Sequence, residues 1–300
     1  MKTILKEYIR EKIGKREKAI DSVWINVLGV ISALELTDKF VLKFLEDVKK
    51  DKIFKSLNFF NGGNWIEEVE NPKYVKFLQS LFETCPKGLG TPNAACGEGE
   101  LMLILSSPKL KKPTKNDIQI DGGKTINLKN DTPRVFAEID GKRLNKIMIA
   151  EANKLGLKPI SGKSGESIQL VTRNYINDYW NPQFSNMDKI QVLEFLSYFL
   201  SKLFPEDKIT KNETNEIVSK CLNGNQLVWE AWIEELIIFI FKYGKDKSEN
   251  LLSMKVDGGV KVIPSNLIEF SELVRNKTIK FESGYFRMFQ NGKVGIYIKF

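Results

Sequence analysis

Between Gly97 and Lys129 lie the residues whose types and spacing suit chemistry. Glu100 follows Gly97-Glu98-Gly99, and an apolar run follows it. Asp117 opens the stretch Asp117-Ile118-Gln119-Ile120, and after Gly122-Gly123 comes Thr125-Ile126-Asn127-Leu128-Lys129. Two carboxylates from separate elements can converge on a hard divalent cation, Mg or Mn, which requires oxygen ligands. A lysine beside such an ion can orient a water or help deprotonate it, the arrangement that phosphodiester hydrolysis needs. Asn127 and Lys129 are two apart, so on a strand they share one face. Asn127 can lend an amide oxygen to a cation but brings no negative charge.

Composition narrows the alternatives. The chain of 300 residues contains no histidine, which excludes Ser-His-Asp and Cys-His catalysis and histidine-ligated metals. Any hydrolysis must rest on carboxylates, lysine and a hard metal. Cys85, Cys96 and Cys221 are odd in number and widely spaced, which fits neither a disulfide framework nor a zinc site. The net charge of +8 favours an acidic partner, with DNA foremost. Residues 86–160 hold 13 Lys and Arg against 8 acids, an excess of 5 around the candidate residues. Lys109, Lys111, Lys112 and Lys115 form a basic loop suited to a phosphate backbone, or simply a solvated one. The charged start, Met1 to Arg16, is unlike a secretion signal, and no apolar run is long enough to cross a bilayer, so no membrane partner is expected.

The elements that would position these groups can be read from periodicity and punctuation. Residues 1–85 read as a helical N-terminal domain, with Ile20, Val23, Val27 and Ile31 at helical spacing and Thr37 as a cap. Residues 86–187 read as an α/β core: a short helix from Glu98 to Leu105, a hairpin of Asp117–Asp121 with Thr125–Lys129, and a helix over Arg143–Leu155 stopped at Gly156. Ser161-Gly162-Lys163-Ser164-Gly165 lacks the spacing of a nucleotide-binding P-loop. Residues 188–245 read as a helical segment, with helices at 188–203, 210–222 and 227–243. Residues 246–300 read as a small antiparallel β-rich unit with one helix. The expected class is α+β.

The Gly-x-Gly-Glu helix start, the strand opened by Asp117, the tight turn and the strand ending in Lys129 resemble the core of the PD-(D/E)XK nuclease superfamily, in a compact branch found in tailed phages. The resemblance covers about 60 residues, and Asn127 stands where that family has Glu or Gln. It implies catalytic roles for Glu100, Asp117 and Lys129 with Asn127 as a weak third ligand. It also implies a metal held by Glu100, Asp117 and Asn127, and DNA contacts from Arg134 or Arg143. A protein of this kind would work in the cytoplasm of an infected bacterium or in the virion. It would act on DNA as an endonuclease or bind its ends. The alternative is a catalytically silent structural component of head, neck or tail, assembled with other virion proteins or copies of itself.

Overall fold

The computed structural model describes residues 1–299 except 14–16, 85–96, 98, 114–116, 122, 124, 130–133, 159–169, 171, 206–207, 245–249, 265, 282–286 and 289–292. In chain order the first half contains α1 (Lys2–Ile13), α2 (Glu17–Ala33), α3 (Asp38–Lys49), β1 (Gly63–Asn64), α4 (Val75–Glu83), α5 (Glu100–Ser106), β2 (Leu110–Lys111), β3 (Ile118–Ile120) and β4 (Thr125–Lys129). Next come β5 (Arg134–Asp140), α6 (Gly141–Lys154), α7 (Arg173–Tyr175), α8 (Asn181–Phe184), α9 (Lys189–Lys202), α10 (Lys211–Cys221), β6 (Leu222–Asn223), β7 (Gln226–Leu227) and α11 (Trp229–Tyr243). The chain finishes with β8 (Asn250–Met254), β9 (Gly259–Ile263), α12 (Leu267–Arg275), β10 (Lys280–Phe281), β11 (Arg287–Met288) and β12 (Lys293–Lys299). The class is α+β, as the sequence leads one to expect.

Two compact units emerge, and neither is continuous in sequence. Unit 1 comprises Met1–Asp131 with Glu249–Ser265, and unit 2 comprises Thr132–Ser248 with Asn266–Phe300. These partings differ from the expected ones at 85/86, 187/188 and 245/246: the segment read as one α/β core is shared between both units.

In unit 1 the helices form where an apolar stripe coincides with a cap. The Thr37 side chain accepts from the Phe40 N–H, and Val41, Phe44, Leu45 and Val48 bury one face of α3. Phe44 meets Tyr74 and Phe77 edge to face, at 5.2 and 5.1 Å between ring centres. Helix α5 is different, because all seven of its residues are buried. It therefore carries no polar stripe to betray its orientation.

The sheet of unit 1 runs β1-β9-β8-β4-β3-β2. The expected hairpin forms, with Ile118 opposite Ile126 and Gln119 opposite Thr125. Ile126 and Leu128 are buried, while Thr125 and Asn127 on the other face are half-buried. β4 is not an edge: β8 lies parallel to it, with Asn127 opposite Leu251 and Lys129 opposite Ser253. The expected separate β-rich unit over 246–300 is therefore corrected. β8 and β9 complete the first sheet, and β12 pairs with β5 in unit 2 instead. A strand's hydrogen-bonding edge carries no label for which distant strand will take it, so the local alternation misleads about the partner.

Unit 2 packs α6 and α11 on β5, with α9 against α6 and α10, and α12 against α11. Asp188 and Gln191 form a reciprocal capping box at the start of α9. Its aromatic residues pack inward: Trp180 touches Phe184 and Phe195, and Trp232 lies against Phe199.

Candidate functional site

The site is built on the start of α5. Gly99 has φ +74°, and a Cβ there would lie 2.9 Å from the Phe82 ring. Its N–H donates to the Phe82 carbonyl at 2.9 Å, tying the helix start to the end of α4. A Cβ on Gly97 would lie 2.8 Å from Glu100 Oε1, because the glutamate folds back over it. Of the two glycines in the Gly-x-Gly-Glu pattern, Gly99 has the firm steric cause, a positive φ against an aromatic ring. The Gly97 N–H also donates to the Glu100 carboxylate.

Glu100 is only 7% exposed. Burial raises its pKa; the Lys112 ammonium opposes that shift, and the negative charge of Asp117 reinforces it. Glu100 and Asp117, 17 positions apart in sequence, are therefore brought within electrostatic reach of each other. Lys112 Nζ donates to Glu100 Oε2.

Asp117 stands at the mouth of the hairpin. Its N–H donates to the Ile126 carbonyl at 3.3 Å, and its Oδ2 accepts from the Leu128 N–H at 2.7 Å. The side chain thus takes the place of a main-chain acceptor and fixes its own orientation. Continuing the register of Ile118 with Ile126 sets Asp117 across from Asn127, on the face away from the core. Glu100 and Asp117 thus influence each other electrostatically, and extending the ladder puts Asn127 across from Asp117. Lys129 ends β4, and its side chain lies outside the described residues.

The expected DNA-contacting residues are dispersed. Lys109 pairs with Asp51 at 2.5 Å, Lys111 is exposed on β2, and Lys112 is drawn in to Glu100. Lys115, like Glu98 and the loop at 161–165, lies outside the described residues. Arg134 on β5 and Arg143 on α6 belong to unit 2, and the side chain of Arg134 is not described.

Two features of the site are silent in the sequence. One is Lys112 as the counter-ion of Glu100. The other is Lys12, 4% exposed, whose ammonium spends its three donors on the carbonyls of Ser107, Pro108 and Leu110 at 2.8, 3.0 and 3.1 Å. Tyr8 adds a bond to the Leu105 carbonyl at 3.2 Å. Helix α1 thus satisfies the carbonyls that α5 and the following turn leave open. Those carbonyls lead directly to Lys112. Burial lowers the pKa of Lys12, with Lys111 adding to the shift, while the negative charges of Glu11, Asp121 and Asp51 oppose it.

The donor set suits a hard divalent cation in kind: two carboxylates that share one neighbourhood, with an amide oxygen beside them. Among the described residues no three His, Cys, Asp or Glu side chains gather into a fuller cage. A groove of about 260 Å³ lies elsewhere, in unit 2 between α10 and α11. Its charged groups are already matched: Glu213 with Lys242, Glu216 with Lys220, and Glu235 with Arg275. No described helix is long and apolar enough to cross a membrane. Comparison with models of protein families, with functionally characterised proteins and with solved structures returns no match.

Proposed function

We propose that unit 1 carries a Mg- or Mn-dependent site for phosphodiester processing of DNA, with Glu100 and Asp117 as its acidic pair. The carrying observation is that Glu100, buried at the head of α5, shares one electrostatic neighbourhood with Asp117 at the mouth of the hairpin. Bound there, the ion would neutralise charge on the phosphoryl oxygens and lower the pKa of a water. The chain's own residues would supply position. Glu100 is held by the Gly97 N–H and Asp117 by the Leu128 N–H, so neither carboxylate has to be ordered when the ion arrives. Asn127 would contribute a neutral oxygen, and Lys129 would orient the attacking water from the same strand.

The experiment is plasmid nicking with Mg or Mn. The wild type cleaves, Glu100→Gln and Asp117→Asn abolish cleavage, and Lys129→Ala reduces it at least a hundredfold, roughly the contribution of a positioned acid–base group. Loss of the Glu100→Gln effect would sink the proposal. Asn127→Glu separates an intact site one ligand short, which would gain activity, from one disabled otherwise.

A second reading has its own support. Lys112 already sits on Glu100, and Asn127 leaves the set one charge poorer than its resemblance implies. Both favour a catalytically silent virion or DNA-packaging component that uses the fold as a scaffold. Salt-sensitive DNA retention without cleavage under any divalent metal would select it.

A further inference from the structure

Helix α6 belongs to unit 2, whereas Glu100 and Asp117 belong to unit 1. Leu144, Met148 and Ala152 bury one stripe of α6 at i, i+4 and i+8. Opposite that stripe, Lys142, Arg143, Lys146 and Lys154 are exposed. The one acid within the helix, Glu151, is half-buried and pairs with Lys154 at 2.8 Å. Lys142, Arg143 and Lys146 make no ion pair among the described residues. Other surface helices interleave their charges: Lys43 with Asp47 and Lys50 with Glu46 on α3, Lys220 with Glu216 on α10. Like charges at i,i+3 and i,i+4 repel. Lys142 and Arg143 stand at the positive end of the helix, where the N-cap carboxylate of Asp140, accepting from the Arg143 N–H at 3.0 Å, is the one acid and no other follows in the first turn. Burying the opposite stripe of α6 does not require this face; a polyanion lying along it would relieve all of these repulsions.

We propose that the exposed face of α6 binds the phosphate backbone of nucleic acid. The cations run along one side of the helix, with about 6 Å of axial rise from Lys142 to Lys146 and about 18 Å from Lys142 to Lys154. A linear array of phosphates can meet such a row at several points. The largest exposed apolar residue on the face is Ala150, so it offers neither the large apolar anchor of a protein interface nor the inserting groups of a membrane-surface helix. It also presents no exposed aromatic ring for bases to stack on, so contact would be to the backbone and indifferent to sequence.

The test is fluorescence anisotropy of a labelled DNA duplex across a KCl series. Converting Lys142, Arg143 and Lys146 together to Ala lowers the slope of log affinity against log salt by about 2 to 3 and weakens low-salt binding about tenfold or more. Lys220→Ala, a cation already paired on α10, changes neither. An unaltered slope in the triple variant overturns the proposal. So does loss of binding to poly-glutamate with duplex binding intact, because the partner would then be an acidic protein. Should the triple variant fail to fold by circular dichroism, Lys142→Gln with Lys146→Gln takes its place: a drop in slope of about 1 to 2 is expected, and an unchanged slope overturns the proposal. The proposal stands apart from the Glu100–Asp117 site. Failure to nick plasmid with the slope change intact removes only the reading of that site.

Discussion

The Lys112–Glu100 contact is the residue-scale feature with the most to test. Glu100 is buried and Lys112 is about a fifth exposed, so deleting the lysine leaves the buried Glu100 carboxylate without its ammonium partner. Lys112→Ala is expected to destabilise unit 1 by about 2 kcal/mol, discounted from the fully buried case for the partial exposure of the lysine. Magnesium should restore more stability to that variant than it adds to wild type, which thermal unfolding with and without the metal reads directly. Asp47 gives a pH prediction with a defined sign. Burial works against its charge, but the Lys43 ammonium and the Tyr74 hydroxyl, the latter at 2.7 Å, outweigh it and hold the pKa below the ordinary carboxylate value. A depressed acid adds stability above its unfolded pKa and loses it as pH falls through the folded one. Unit 1 should therefore weaken on acidification below about pH 4, and Asp47→Asn should be less stable at neutrality with a flatter acid limb in denaturant titrations.

At the scale of elements, α5 is pinned at both ends, by Gly99 against Phe82 and by Tyr8 on its Leu105 carbonyl, with Lys12 on the carbonyls just beyond it. Gly99→Ala must place a Cβ at a positive φ and against a ring, at a cost of about 1 to 3 kcal/mol. Lys12→Met leaves three carbonyls without their donor, two of them in buried bonds, and is expected to cost about 2 to 4 kcal/mol in urea unfolding. Much of this is legible in the sequence in outline. Thr37, Asp188 and Thr210 announce their helices because a side-chain oxygen near an orphan N–H is a local event. The hairpin is also local, and Gly122-Gly123 marks it. What stays illegible depends on distance. Nothing in Lys12 or Lys112 indicates which carbonyls or carboxylate will receive them, since both lysines are ordinary until the fold removes water from around them. Lys112 reads as part of a basic loop, phosphate-binding or solvated, for that reason. The run from 250 to 263 reads as β-rich and is so, but its partner strand, β4, lies across the whole of α6 to α11 in sequence.

At the scale of the whole molecule, unit 1 draws on two separate segments of the chain, and its sheet places β8 and β9 between β4 and β1. A fragment ending at residue 131 leaves β4 unpaired on one side. It should show no cooperative unfolding transition by circular dichroism, and a peptide covering 249–265 added in trans should restore one. Cooperative melting of the fragment alone would show that the second segment is dispensable.

The parallel sense of β4 and β8 also constrains anyone who would dissect the molecule. Removing residues 132–248 cannot be mended with a tight turn, because the outgoing strand ends beside the far end of the incoming one. The splice must travel back the length of β4, about 16 Å, and parallel neighbours need a crossover of about a dozen residues or more. A miniaturised first unit is thus a problem of return path, and a short seam would force β8 to reverse and give up its parallel register with β4.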